Sequence, residues 1–196
     1  MEDVSIMTRY SIKNPRAVQL YSAHTANGIK VAIMLEELQE LRSMKGDFVY
    51  EAHTVDIRTS ENRILFPMMK INPNGRIPAI VDPVPSENED PLAVFESGAI
   101  LMYLAEKYQE LLPVEGRLRY QCIEWLFWGS TGLSSQIKLF GFYYHYCVHS
   151  MPYCVQRYTK EVTRLLGVLE SQLAGHGKHW IVGDMYSVAD ICAFPW

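Results

Sequence analysis

The chain has no run of basic residues and no long apolar stretch. Its formal net charge is −4 over 196 residues, which argues against a general nucleic-acid binder. No segment approaches the roughly 18 consecutive apolar residues that a membrane span needs. The opening Met1-Glu2-Asp3-Val4-Ser5 lacks the basic and apolar regions of a secretory signal. Cysteine is sparse: Cys122, Cys147, Cys154 and Cys192 all lie in the second half, and none forms a C-x-x-C pair. This usage predicts free, buried thiols in a reducing, cytosolic compartment. His145 and His149 stand four apart near Cys147 and Cys154, a spacing zinc can use. No acid completes a His-Glu-x-x-His arrangement and Cys147 falls off the shared face, so no metal site is expected. What remains is ordinary globular composition, 48% hydrophobic and 20% charged, in a chain long enough to bury a core.

Two segments carry the most chemistry. Asn72-Pro73-Asn74-Gly75-Arg76-Ile77-Pro78-Ala79-Ile80-Val81 is a polar turn running into a proline that opens an apolar strand. Proline lacks an N–H and suits a strand's first position, and it holds Ile77 extended. The N–H and C=O of Ile77 are then open to an extended peptide lying alongside. Val94-Phe95-Glu96-Ser97-Gly98-Ala99-Ile100 ends a strand in an acid and a serine where a helix begins. Ser97 and the helix start offer donors to a carboxylate, and Glu96 can take an ammonium. A small peptide with a backbone, an amine and a carboxylate meets all three, a description that fits glutathione.

Periodicity orders the first half as βαβαββα. Residues 17–22 and 48–56 read as strands, 27–41 as a helix with Val31, Met34, Leu35 and Leu38 on one stripe, and 60–70 as a short helix. Residues 77–82 and 92–95 read as two further strands, and 97–108 as a helix with Leu101, Leu104, Ala105 and Tyr108 on one side. This order fits a sheet built from a parallel βαβ unit and a hairpin. Beyond Leu111-Leu112-Pro113-Val114 the strand signals stop. Helical patterns cover 117–128 and 153–173, the latter with Tyr158, Val162, Leu165, Leu166 and Leu169 on one stripe, and Ser187-Val188-Ala189-Asp190 is a capping box with Asp at its fourth place.

The proline loop and the Glu-Ser pair resemble the cis-proline loop and the Glu-Ser motif of glutathione transferases. Thr25-Ala26-Asn27-Gly28 is similar to the Thr-x-Asn-Gly opening of the nu class, the bacterial glutathione-dependent disulfide-bond oxidoreductases, and of the transferase domain of the fungal nitrogen-regulator prion protein. Glu124-Trp125-Leu126-Phe127-Trp128, Pro152-Tyr153-Cys154-Val155-Gln156-Arg157-Tyr158 and Tyr186-Ser187-Val188-Ala189-Asp190-Ile191 extend the resemblance over roughly residues 17–196. It implies glutathione transferase architecture: an extension (1–16), an α/β thioredoxin-like glutathione-binding domain (17–109), a linker (110–116) and an all-α C-terminal domain (117–196). The resembling proteins continue for further helical turns, so the resemblance implies an incomplete helical domain here.

The resemblance also assigns roles. Thr25 and Asn27 would stabilise a glutathione thiolate, whose unperturbed pKa lies near 8.5. Ile77 in the Ile77-Pro78 loop would pair with the cysteinyl backbone, Arg76 would offer charge toward a carboxylate, Glu96 and Ser97 would bind the γ-glutamyl end, and Arg157 would reach glutathione from the helical domain. Each has a plainer role beside this one. Thr25 and Ser97 can simply cap helices, Arg76 can be a solvated turn arginine, and Arg157 can belong to a structural ion pair on an otherwise apolar helix. The aromatic run 140–146 is either domain-interface core or a wall for an apolar cosubstrate. The implied function is glutathione-dependent reduction of a small disulfide, with glutathione as cosubstrate and no metal. Glutathione disulfide and a small disulfide or electrophile are the implied partners, in a cytoplasmic homodimer without nucleic acid or membrane. The alternative is a non-catalytic glutathione-binding regulatory module of the same fold, or a non-functional remnant.

Overall fold

The computed structural model describes residues 12–58, 66–86, 89–175 and 179–196. They divide after Tyr108 into two compact units.

The first unit is organised by strand β1 (Val18–Ser22) at the interior of a four-stranded sheet, between β2 (Tyr50–Thr54) on one side and β3 (Ala79–Asp82) then β4 (Leu92–Phe95) on the other, in the order β2-β1-β3-β4. Val18, Gln19, Leu20 and Tyr21 are all buried, so β1 is covered on both faces, as an interior strand flanked by helices must be. Gln19 pairs its amide fully there: its nitrogen donates to Ala17 O (2.7 Å) and Asn14 O (3.1 Å), and its oxygen meets His53 Nε2 at 2.7 Å. Helix α1 (Ala26–Leu41) crosses over to strand β2 (Tyr50–Thr54), which pairs parallel to β1 with Val18 opposite Tyr50. The stripe Val31, Met34, Leu35 and Leu38 is fully buried, each side chain contributing about 1.5–3 kcal/mol of hydrophobic stabilisation.

Helix α2 (Phe66–Ile71) covers the end of the stretch expected to be helical (60–70) and runs one residue past it, while residues 60–65 lie outside the described ones. Strand β3 (Ala79–Asp82) pairs antiparallel to β1, and β4 (Leu92–Phe95) antiparallel to β3. The ladder starts at Ala79 rather than Ile77, because Pro78 has no N–H to give. Helix α3 (Ser97–Tyr108) buries Ile100, Leu101, Leu104 and Ala105. Tyr108, expected on the same stripe, is only half-buried: it packs edge-on against Phe48 (5.0 Å) and under the Arg42 guanidinium (5.1 Å). The buried carboxylate of Asp82 is held by Tyr103 Oη (2.7 Å), Lys107 Nζ and the Val84 N–H (3.0 Å).

The second unit is helical. Helix α4 (Gly116–Phe127) runs on through a π-helical turn (Trp128–Leu133), helix α5 (Ser134–Gly141) and a second π turn (Phe142–Tyr146). The sequence reading ends this helix near Trp128, since Gly-Ser-Thr-Gly is poor helix-forming sequence. A tertiary contact accompanies its continuation. Cys192 packs so close to Gly129 that a Cβ there would stand 3.1 Å from its sulfur, and that sulfur lies 3.2 Å from Ser130 Oγ. Within the turn, Ser134 Oγ donates to Gly129 O (2.6 Å) and Thr131 Oγ1 to Phe127 O (2.8 Å). Helix α6 (Pro152–Ala174) opens with proline at N1, where the missing N–H costs nothing. On its expected stripe Leu165 is buried, while Leu166 is 47% exposed. The capping box of helix α7 (Val188–Ala193) forms as expected: the Ser187 N–H donates to Asp190 Oδ2 (3.0 Å) and Ala189 N to Ser187 Oγ (3.3 Å). Asp190 Oδ1 also accepts the Ile181 N–H at 2.8 Å, which ties the approaching loop to α7. No helix among the described residues is long and apolar enough to cross a membrane.

Candidate functional site

Strand register brings the predicted segments of the first unit together. Tyr21 lies opposite Ala79, and Ala79 opposite Phe95. The residues just beyond them, Ser22 to Asn27, Ile77-Pro78 and Glu96-Ser97, therefore emerge at one end of the sheet.

Thr25 is the N-cap of α1. Its backbone is extended (φ −134°, ψ 157°), its Oγ1 accepts the Gly28 N–H at 3.1 Å, and its carbonyl accepts Ile29 N at 2.8 Å. Capping uses an acceptor lone pair, so the hydroxyl proton is still available to a ligand. Asn27 is half-buried and its Oδ1 accepts from Ser97 Oγ at 3.5 Å. That contact joins the first loop to the third and leaves the amide NH2 as a donor. Gly28 makes this packing possible, since a Cβ there would stand 2.3 Å from Ala23 O.

Glu96 is exposed and has φ +68°, a left-handed conformation costly for a side-chain-bearing residue. Its carbonyl nevertheless accepts Ile100 N at 2.9 Å and so opens α3. The buried Ser97 then begins a helix whose leading N–H groups have no intrahelical partner.

The Ile77-Pro78 peptide is cis. Pro78 is buried, Ile77 half-buried and Arg76 exposed. Ile77 packs on a cluster of Tyr21, Val55, Ile71 and Ala79. This loop is shaped by Asn72, a residue missed as a site component. Only 2% exposed, it accepts Asn74 N at Oδ1 (2.8 Å), donates from Nδ2 to Arg76 O (2.7 Å), and its carbonyl accepts Gly75 N (2.8 Å). Gly75, at φ +61°, suits that turn. The signal was present as an Asx turn in Asn-Pro-Asn-Gly.

His53 stacks on Tyr21 of β1 with ring centroids 5.0 Å apart. Burial holds its imidazole below the ordinary value of 6.5, while the nearby Glu51 carboxylate pulls the other way.

In the second unit, Arg157 sits on an exposed part of α6. The argument that it needs a buried partner therefore fails, because water solvates it. Glu161, one turn on, is lowered chiefly by its hydrogen bond to Arg164 and slightly by the charge of Arg157. The expected burial of all four thiols is also corrected. Cys122 and Cys192 are buried, but Cys147 and Cys154 are partly exposed. His145 lies in the second π turn and His149 in the following loop, so they share no helical face. Among the described residues no group of three or more His, Cys, Asp or Glu could hold a metal. The aromatic run is not core: Phe142, Tyr144 and Tyr146 are 48%, 60% and 77% exposed.

Comparison with known proteins agrees with this geometry. Residues 149–196 match the family described as Glutathione S-transferase, C-terminal domain. Two Escherichia coli proteins, the disulfide-bond oxidoreductases YghU and YfcG, are 40% and 38% identical over 179 and 180 residues; the alignments cover 91% of this chain in each case, and 59% and 78% of theirs. A glutathione transferase family member from Pseudomonas fluorescens, solved with two glutathione bound, superposes with TM-score 0.88 at 38% identity, covering 100% of this chain and 82% of that one. With the sheet order, the cis-proline loop and the helical second unit in place, the chain belongs to the glutathione transferase family.

Proposed function

We propose that this protein is a glutathione-dependent disulfide-bond reductase that activates the glutathione thiol at Thr25 and Asn27. The observation that carries the proposal is the convergence of the Thr-x-Asn turn, the Ile77-Pro78 loop and the Glu96-Ser97 helix start, joined by the Asn27–Ser97 contact. Glu96 takes the α-ammonium of the γ-glutamyl group. The N–H of Ser97 and the start of α3 take its carboxylate. The Ile77 backbone pairs with the cysteinyl residue, Pro78 shapes that approach, and Arg76 supplies charge to a carboxylate. The Thr25 hydroxyl and the Asn27 amide then donate to the sulfur and favour the thiolate.

The thiolate attacks a small disulfide, forming a glutathione mixed disulfide and releasing one thiol. A second glutathione thiolate attacks that mixed disulfide, releasing the other thiol and glutathione disulfide. The substrate disulfide gains the two electrons that the two glutathiones lose, and no protein cysteine takes part. The chemistry suits a compartment where glutathione stays reduced, so the proposal includes a cytoplasmic location, and it includes a homodimer, which light scattering after size exclusion checks.

The test is glutathione-dependent reduction of a small disulfide, coupled to NADPH oxidation through glutathione reductase. Removing both donors in Thr25→Ala/Asn27→Ala should lower turnover by roughly 10²-fold, as expected for hydrogen bonds to a charged atom at about 1.5–3 kcal/mol each, partly replaced by water. Unchanged turnover in the double variant sinks the mechanism. Tight glutathione binding without turnover in the parent chain would favour a regulatory binding module instead.

A further inference from the structure

Strand order fixes which end of a bound tripeptide lies where, an inference that rests on the glutathione reading above. Across the sheet the strands follow β2-β1-β3-β4, about 4.8 Å apart. At the site's end of the sheet Glu96-Ser97 follows β4, Ile77-Pro78 precedes β3 and the Thr25 turn follows β1. A peptide whose γ-glutamyl group sits at β4 and whose cysteinyl backbone pairs with Ile77 therefore runs on toward β2. Its terminal glycine carboxylate comes to the β2 side. Strand β2 is parallel to β1 with Thr54 opposite Ser22, so the residues that follow it emerge at this same end.

The Val55 N–H donates to Ser22 O at 2.7 Å. Its buried side chain belongs to the cluster of Tyr21, Ile71 and Ala79 on which Ile77 packs, so the end of β2 and the proline loop share one support. Three residues on, the Arg58 side chain is 86% exposed. Asp56 Oδ1 accepts the backbone N–H and Nε of Arg58 (3.0 Å each), and Asp56 Oδ2 accepts from Nη2 (3.0 Å). This turn grips the guanidinium by one edge and uses two of its five N–H donors. The other edge, on Nη1 and Nη2, meets no acceptor among the described residues. That edge is a fork whose geometry matches a carboxylate. Arg76 precedes β3, two strands nearer β4 than the Arg58 loop.

We propose that Arg58 is a specificity-determining residue that binds the glycyl carboxylate of glutathione through its outer guanidinium edge, with Asp56 fixing the orientation. The test is titration calorimetry of the intact chain with glutathione and with its analogue carrying glycinamide in place of glycine. Binding is read without turnover, so the result does not depend on catalysis at Thr25 and Asn27. The parent should bind glutathione about 10-fold tighter than the amide, as expected for a charge-assisted bidentate contact. Arg58→Gln should keep the parent's melting temperature, bind the amide as the parent does and lose the preference for the carboxylate. Arg58→Lys should recover part of that preference, and Arg76→Gln should retain it. A parent chain that binds neither ligand overturns the glutathione reading and this assignment with it. Equal binding of the two ligands by the parent overturns the assignment alone. So does an Arg58→Gln protein that still prefers the carboxylate, or one that loses both ligands alike.

Discussion

Replacing Gly28 by alanine would put a methyl carbon 2.3 Å from Ala23 O, 2.5 Å from Ser22 Oγ and 3.2 Å from Thr25 Oγ1. Two of those atoms belong to the turn that delivers Thr25, and one of them is backbone, so no rotamer change relieves the clash. Restoring ordinary contact distance requires α1 and the turn to separate by about 1 Å, and a misplacement of that size costs about 10²-fold in rate. Stability should move less. Overpacking costs about 1–3 kcal/mol, while alanine returns up to about 1 kcal/mol of helix propensity, so the net loss is about 2 kcal/mol or less. In a chain of this length that is a fall in Tm of a few degrees, at about 2–4 °C per kcal/mol. The assay pairs the coupled disulfide-reduction rate with a thermal melt. A large drop in turnover with most of the stability retained is expected. Full turnover with an unchanged or raised Tm would refute the claim that this glycine sets the position of Thr25 and Asn27.

Asn72→Ala should destabilise the first unit by about 1–3 kcal/mol in urea unfolding, because it leaves Arg76 O and Asn74 N without their partner; it should also raise the KM for glutathione by loosening the proline loop, and an unchanged KM would count against its positioning role. His53 has a folded pKa lowered by burial, so the folded state resists its protonation. The stability this contributes is complete above the ordinary value of 6.5 and is lost as pH falls from there through the folded value; Tm measured from pH 8 to about 5 should fall less steeply in His53→Gln than in the parent. Asp82→Asn removes the carboxylate held by Tyr103 and Lys107, and the loss of a partner for a largely buried ammonium should cost about 2–4 kcal/mol by chemical denaturation, a result contradicted by a melt that matches the parent.

The order of elements in the first unit was legible because its signals are local. The α1 stripe and the turn at Asn72-Pro73-Asn74-Gly75 are each written in residues a few positions apart, as is the Ser187–Asp190 capping box of the second unit, and the backbone reads them by period, φ preference and hydrogen-bond capacity. The long helix running to Tyr146 was not legible. Its Gly-Ser-Thr-Gly segment is weak helix-forming sequence, and the tertiary contact it makes is with Cys192, some sixty residues away in sequence, which packs on Gly129 and meets Ser130 Oγ. The same holds for the site. Sequence alone named Thr25, Asn27, Ile77, Glu96 and Ser97 as candidates, because each residue type and its neighbours define its local chemistry. Their meeting at one sheet end, the Asn27–Ser97 contact, the buried Asn72 that shapes the proline loop and the partial exposure of Cys147 and Cys154 were decided by tertiary structure. Register and burial depend on which surfaces pack against one another, and that is a property of the whole chain rather than of any segment.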